Sequence, residues 1–133
     1  MNTHMEQQTH FFHALANDIR LRIILLLAAE PQLSVCQLVR ILELPQPKVS
    51  RHLAVLRDAG LVSVDRRAQW ICYRLGETLA PWQRKVVEAV RSSLSDSPQY
   101  EADQRRLAEV HRLMRERNHP CAPGGRELEE MTA

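Results

Sequence analysis

Three cysteines stand far apart in this chain: Cys36 in "LSVCQL", Cys72 in "WICYRL" and Cys121 in "NHPCAP". Thiolates are nucleophiles and ligands for soft ions, so each is a candidate for sensing chemistry. Cys36 lies two residues after Ser34, in the first turn of an expected helix; the position suits a reactive thiol and equally a small packing residue. Cys72 alternates with Trp70 and Arg74 on one side of a strand pattern, against Ile71, Tyr73 and Leu75, and half-burial as a small residue is the preferred reading. Cys121 sits beside His119 and Pro120 with no apolar neighbourhood to pack in. An odd number of cysteines, in a chain long enough to need no staples, predicts free thiols rather than a disulfide framework. A tail folded back, on its own chain or on a second copy, would bring Cys121 towards Cys36 or Cys72 and assemble two or three sulfurs. A disulfide would require Cα atoms within ~7 Å.

A second group is basic. Between Gln46 and Arg74 lie Lys48, Arg51, Arg57, Arg66, Arg67 and Arg74 against Asp58 and Asp65 only, whereas the whole chain carries a net charge of +2. Such local concentration, rather than net charge, is the electrostatic footprint of a polyanion-binding surface.

The elements that must position these groups follow from periodicity. The 133 residues fit one compact domain. "QQTHFFHALA" places Phe11, Phe12, Leu15 and Ala16 on one stripe, and Asn17-Asp18 caps a second helix, Ile19 to Ala29, apolar nearly all round and therefore central. Its apolar run is far shorter than the ~20 residues of a membrane span. Ser34 followed by Gln37 is a capping box for a short helix, Val35 to about Glu43. Pro45 and Pro47 mark a turn into "KVSRHLAVLRDAG", which Gly60 closes. Val49, Leu53 and Leu56 give that helix a buried face opposite Lys48 and Arg51. "LVSVDRRAQWICYRL" reads as two short antiparallel strands turning at Arg67-Ala68-Gln69. Beyond it, Trp82, Val86, Val90 and Leu94 form a stripe on a helix begun by Pro81, and Leu107, Val110 and Met114 form another on a helix from about Gln99 to Arg117.

This order predicts a mainly α fold with a small β-hairpin wing, a winged helix-turn-helix whose second helix enters the major groove while the hairpin flanks it. The expected organisation is a flexible N-terminus over 1–10, the DNA-binding and dimerisation domain over 11–95, a C-terminal helical extension over 96–118 and a flexible tail over 119–133. Gln46, Lys48, Ser50, Arg51 and Arg57 are the candidate contacts on the reading helix, with Arg66, Arg67 and Gln69 at the hairpin tip. His52, at the edge of the buried stripe, either packs or contacts phosphate.

"FFHALANDIRLRIILLL", "LSVCQLVRILELPQPKVSRHLAVLRDAGLV" and "RRAQWICYRL" resemble the ArsR, or SmtB/ArsR, family of metalloregulatory repressors, over about Phe11 to Val90. The resemblance implies a homodimer on an operator with two-fold symmetry, an imperfect inverted repeat, released when an inducer binds. It also implies dimerisation through the first and last core helices, here the stripes of Phe11, Phe12 and Leu15 and of Trp82, Val86 and Val90. Arsenite-responsive members typically carry cysteines at the positions of Ser34 and Cys36, often with a third at Val39; only Cys36 is present here. Trivalent arsenic prefers three thiolates, so Cys36 needs Cys72 or Cys121 as partner; a monomethyl arsenical needs only two.

The expected function is therefore a cytoplasmic repressor with no obligatory cofactor and no membrane association, induced by a trivalent arsenical, arsenite or methylarsenite. A redox or reactive-sulfur switch on the same cysteines is the alternative. Zinc sensing fits less well, since "PWQRKVVEAVRSSL" has no histidine and one acid, Glu88. A thiol enzyme such as an arsenate reductase is disfavoured because Cys36 has no Gly-rich anion loop nearby.

Overall fold

The computed structural model describes residues 3–121. Six helices and three short strands follow in the order α1 (Thr3–Leu15), α2 (Asp18–Ala29), β1 (Leu33–Ser34), α3 (Val35–Leu42), α4 (Gln46–Asp58), β2 (Val62–Arg67), β3 (Trp70–Leu75), α5 (Pro81–Ser93) and α6 (Pro98–Glu116). No described helix is long and apolar enough to cross a membrane.

α2 is the axis of the core. Asn17 caps it, its side-chain oxygen accepting from the backbone N–H groups of Ile19 (2.9 Å) and Arg20 (3.1 Å). Ile23 to Leu27 are buried in succession, as expected of a helix that is apolar all round and enclosed on every side. α1 starts at Thr3, within the stretch read as a flexible N-terminus: its Gln, Glu and Met residues are compatible with helix, and Glu6 lies in the first turn, where the helix dipole favours an anion.

The capping box at Ser34 forms as expected. The Gln37 N–H donates to Ser34 Oγ (3.4 Å), and the Ser34 N–H donates to Gln37 Oε1 (2.7 Å). α4 ends in a Schellman motif: the N–H of Gly60, at φ +79°, donates to the Arg57 carbonyl (3.0 Å) and that of Leu61 to the Leu56 carbonyl (3.0 Å). Gly76, just beyond the hairpin, lies against this corner. A Cβ there would sit 2.2 Å from the Gly60 carbonyl oxygen, so only glycine lets the hairpin return so close to α4.

β2 and β3 form the expected hairpin, Arg67 pairing with Trp70 across a two-residue turn in which Ala68 takes φ +56°. The third strand was not legible in the sequence. β1 is two residues long and adds to the other edge of β3, pairing Leu33 with Tyr73 and Ser34 with Cys72, so the sheet order is β1-β3-β2. Two residues show no alternation pattern, and only the tertiary fold supplies their partner.

α6 lies across α2 and α3 and buries Leu107, Val110 and Met114, the stripe anticipated. It also buries Asp103, whose carboxylate accepts from Arg22 Nε (2.8 Å) and Nη2 (2.9 Å), Arg106 Nη2 (3.0 Å) and Gln99 Nε2 (3.0 Å). Asp103 in turn raises the Arg22 pKa, chiefly through that hydrogen bond. Arg106 also donates to the Ile41 carbonyl (2.6 Å) and pairs with Glu43 (3.0 Å), placing a cation at the C-terminal end of α3. His111 hydrogen-bonds the buried Glu30 at the end of α2.

Candidate nucleic-acid interface and thiol site

α3, the turn over Glu43–Pro45 and α4 form the helix-turn-helix. Val49, Leu53 and Leu56 hold α4 to the core, leaving Gln46, Arg51 and Arg57 exposed and Lys48 and Ser50 half-exposed. Gln46 Nε2 donates to Ser50 Oγ at 3.4 Å. The open N-terminal turn of α4 and these cations create positive potential in one place, which suits a phosphate backbone with side chains free to reach base edges.

His52 is half-buried, and Arg20 Nη1 lies 3.3 Å from its Nδ1. A guanidinium only donates, so Nδ1 accepts and the neutral ring carries its proton on Nε2. Burial first, then the charges of Arg20, Arg51 and Lys48, push the His52 pKa below its ordinary value. Arg20 went unnoticed in the sequence because it reads as an interruption of an apolar helix. It ties α1 to α4, its Nε also donating to the Ala14 carbonyl at 2.7 Å.

The wing divides its candidates. Arg66 and Gln69 are exposed at the end of the hairpin. Arg67 is not free there: its guanidinium donates to Asp65 at 2.9 Å and its side chain is only 11% exposed. The reason is strand alternation. Arg67 and Asp65 share the face of Trp70 and Cys72, which the C-terminal segment covers, whereas Arg66 and Ile71 face out.

The expectation of free thiols is overturned. Cys72 and Cys121 form a disulfide with Cα atoms 5.6 Å apart, 0% and 1% exposed, and Cys36 alone is free. After α6 the chain reverses at Asn118, at φ +50°, and the His119 N–H returns to the Met114 carbonyl (2.9 Å). Residues 119–121, assigned from the sequence to a flexible tail, thereby pack on the inner face of β3; the rest of that assignment lies outside the described residues. His119 Nδ1 accepts from the Cys121 N–H (3.0 Å), its ring lies 4.6 Å from that of Trp70, and burial pushes its pKa down. Cys36 opens into a cleft of about 190 Å³ between α3, β3 and α6 that Trp70 and His119 also line. Among the described residues no three His, Cys, Asp or Glu side chains gather as a metal site.

A further patch lies on α1 and α5. Phe12 is 49% and Trp82 38% exposed, with ring centroids 6.2 Å apart, and Val86 and Val90 are half-buried beside Val87, the residue of α5 that turns fully inward. Phe11 and Leu15 point into the chain's own core, backing the patch rather than forming its surface; Phe11 packs edge-on against Trp82 at 5.4 Å.

Residues 17–64 match the family described as "Bacterial regulatory protein, arsR family". The "Arsenic resistance transcriptional regulator ArsR1" of Pseudomonas putida is 45% identical over 101 residues, 74% of this chain and 76% of the relative. The chain belongs to the arsR family. Membership makes it a DNA-binding transcriptional regulator rather than an enzyme. The "Arsenical resistance operon repressor" of Escherichia coli is 42% identical over 77 residues, 58% of this chain and 66% of the relative. Among solved structures, HlyU from Vibrio cholerae superposes with a TM-score of 0.61 at 33% identity, over 69% of this chain and 96% of its own. The repressor BigR from Xylella fastidiosa does so with 0.61 at 26%, over 74% and 93%. These solved structures share the winged helix-turn-helix described above.

Proposed function

We propose that this arsR-family protein is a cytoplasmic, dimeric repressor that holds an inverted-repeat operator and releases it when its thiols capture a trivalent arsenical. DNA binding rests on α4 and the wing, with Gln46, Lys48, Ser50, Arg51, Arg57, Arg66 and Gln69 as direct contacts and His52 as a half-buried neighbour. Phe12 and Trp82, backed by Phe11 and Leu15 and continued by Val86 and Val90, give the second protomer an apolar seat.

The observation that carries the inducer reading is the approach of Cys72 and Cys121 to 5.6 Å, with Cys36 opening into the adjoining cleft. Once reduced, the pair offers two sulfurs to a soft trivalent centre, and Cys36 is available as a third. Cys72 lies on the wing strand, two pairings from the tip, so a group inserted between Cys72 and Cys121 displaces the wing or the segment over it. Four resistance regulators or repressors among the similar proteins carry arsenic in their names.

The disulfide itself favours a second reading. Disulfides in a reducing compartment are usually transient and redox-sensing, and a hydroperoxide would take two electrons from the thiols to form this one, leaving an alcohol and water. Operator release, followed by fluorescence anisotropy, separates the two. Methylarsenite should release DNA from the protein kept reduced with a phosphine, and Cys72→Ser or Cys121→Ser should abolish the response. Release by hydroperoxide alone would establish the redox reading. An undiminished arsenical response in Cys36→Ser, Cys72→Ser and Cys121→Ser would overturn the assignment of inducer-binding thiols.

A further inference from the structure

From the donors that line the cleft between α3, β3 and α6 we infer a binding site for a small organic carboxylate with an apolar body. Neither sulfur of the Cys72–Cys121 pair lines this cleft, so the site stands apart from the inducer reading. Gln37 carries the inference furthest, because it is only 8% exposed and yet half unsatisfied. Its Oε1 is spent on the Ser34 N–H in the capping box, while its Nε2, which can only donate, has no partner among the described residues. His119 offers a second donor. Its Nδ1 accepts from the Cys121 N–H, so the neutral ring keeps its proton on Nε2, which is also unbonded.

Two guanidinium groups complete the polar part of the wall. Arg40, on α3, and Arg117, at the end of α6, are exposed and bonded to no carboxylate among the described residues. Glu109 feels the Arg40 charge but is itself held by Arg112. No Asp or Glu lines the cleft, so donors and positive charge face it without an answering acceptor. A carboxylate supplies what is missing: it only accepts, and it can take a guanidinium fork through both oxygens. The rest of the wall is Trp70, Val110, Leu113 and Met114, against which an apolar body gains by leaving water. Gln37 and Arg40 belong to the helix-turn-helix, Arg117 and His119 to the segment that follows α6. A carboxylate bonded to both sides fastens that segment to α3.

The test is calorimetric titration of the full chain, disulfide intact, with hexanoate, hexanamide and acetate. Hexanoate should bind at least tenfold more tightly than the amide, which keeps the body without the charge, or acetate, which keeps the charge without the body. Arg117→Gln, at an exposed position, should weaken hexanoate about tenfold, and Arg117→Lys should recover only part of the loss, because it keeps the charge without the fork. Arg105→Gln, which removes the same charge elsewhere on α6, should change nothing. Cys36, the free thiol on the same wall, should be alkylated by iodoacetamide more slowly in hexanoate than in hexanamide. Equal binding of acid and amide, or no protection of Cys36, overturns the site. So does hexanoate binding that Arg117→Gln leaves intact while the salt dependence of operator binding falls, which would assign Arg117 to the DNA backbone.

Discussion

The reading head, from α3 through the wing, and the strap formed by α6 with residues 117–121 are held by interactions of different range. Near neighbours bind the head: a capping box over three residues, a Schellman corner at Gly60 and a two-residue hairpin turn. The strap is attached by contacts that span the chain, 81 residues from Arg22 to Asp103, 65 from Ile41 to Arg106 and 49 from Cys72 to Cys121. The difference is instructive because local contacts survive when distant ones are lost. α6 also buries Leu107, Val110 and Met114 in the common core, so the part of the strap that can loosen without unfolding the head is its end, residues 117–121, fastened by the disulfide.

Asp103→Ala is the most damaging single break on the strap side. It leaves Arg22 and Arg106 without the buried carboxylate they share and should cost about 3–5 kcal/mol in urea unfolding. If the head is independent, operator affinity measured well below the melting temperature should change little; a matching loss of affinity would show the two regions to be one unit.

Reduction of the disulfide comes next. Opening a loop of this length should lower stability by about 2–4 kcal/mol, read as a fall in thermal midpoint on adding reductant. Cys121→Ser should show the lower midpoint with or without reductant.

On the head side, Arg51→Ala should weaken operator binding about tenfold and reduce the slope of log K against log salt by about one, with the thermal midpoint unchanged. A loss of stability instead would mean that Arg51 supports the fold rather than the DNA contact.

The smallest expected effect is a proton linkage at His52. Burial, Arg20, Arg51 and Lys48 hold its pKa below 6.5 in the free protein, so it is neutral at pH 7. DNA phosphates oppose that repulsion and raise the pKa in the complex, so binding takes up a proton and affinity rises as pH falls. About threefold between pH 7.5 and 6 is expected, and His52→Gln should flatten the profile. In folding the sign is the reverse: a histidine kept neutral by burial contributes stability above its unfolded pKa, which is lost as pH falls through the lower folded value.

Much of the head could be read in the sequence because its signals are local. Ser34 and Gln37 announce the start of α3, Pro47 and Gly60 bound α4, the Val49, Leu53 and Leu56 spacing decides which way Lys48 and Arg51 point, and alternation marks the wing. Each concerns residues within a few positions of one another, where helix and strand geometry fix who faces whom. Arg67 marks the limit of such reading: its type and place at the turn suggest DNA, but strand alternation puts it on the covered face with Asp65.

Residue order by itself therefore determined the helix-turn-helix, the wing, the basic face of α4 and a family resemblance strong enough to anticipate a DNA-binding regulator. Only the tertiary structure decided that β1 joins the sheet, that Asp103 gathers Arg22, Arg106 and Gln99, that Phe11 and Leu15 turn inward, and that Cys121 meets Cys72 while Cys36 stays free. The physical reason is common to all four. Each depends on which surfaces remain to be buried once the helices have packed, and on where the chain can reverse, as at Asn118, to bury them. Neither is written in the spacing of near neighbours.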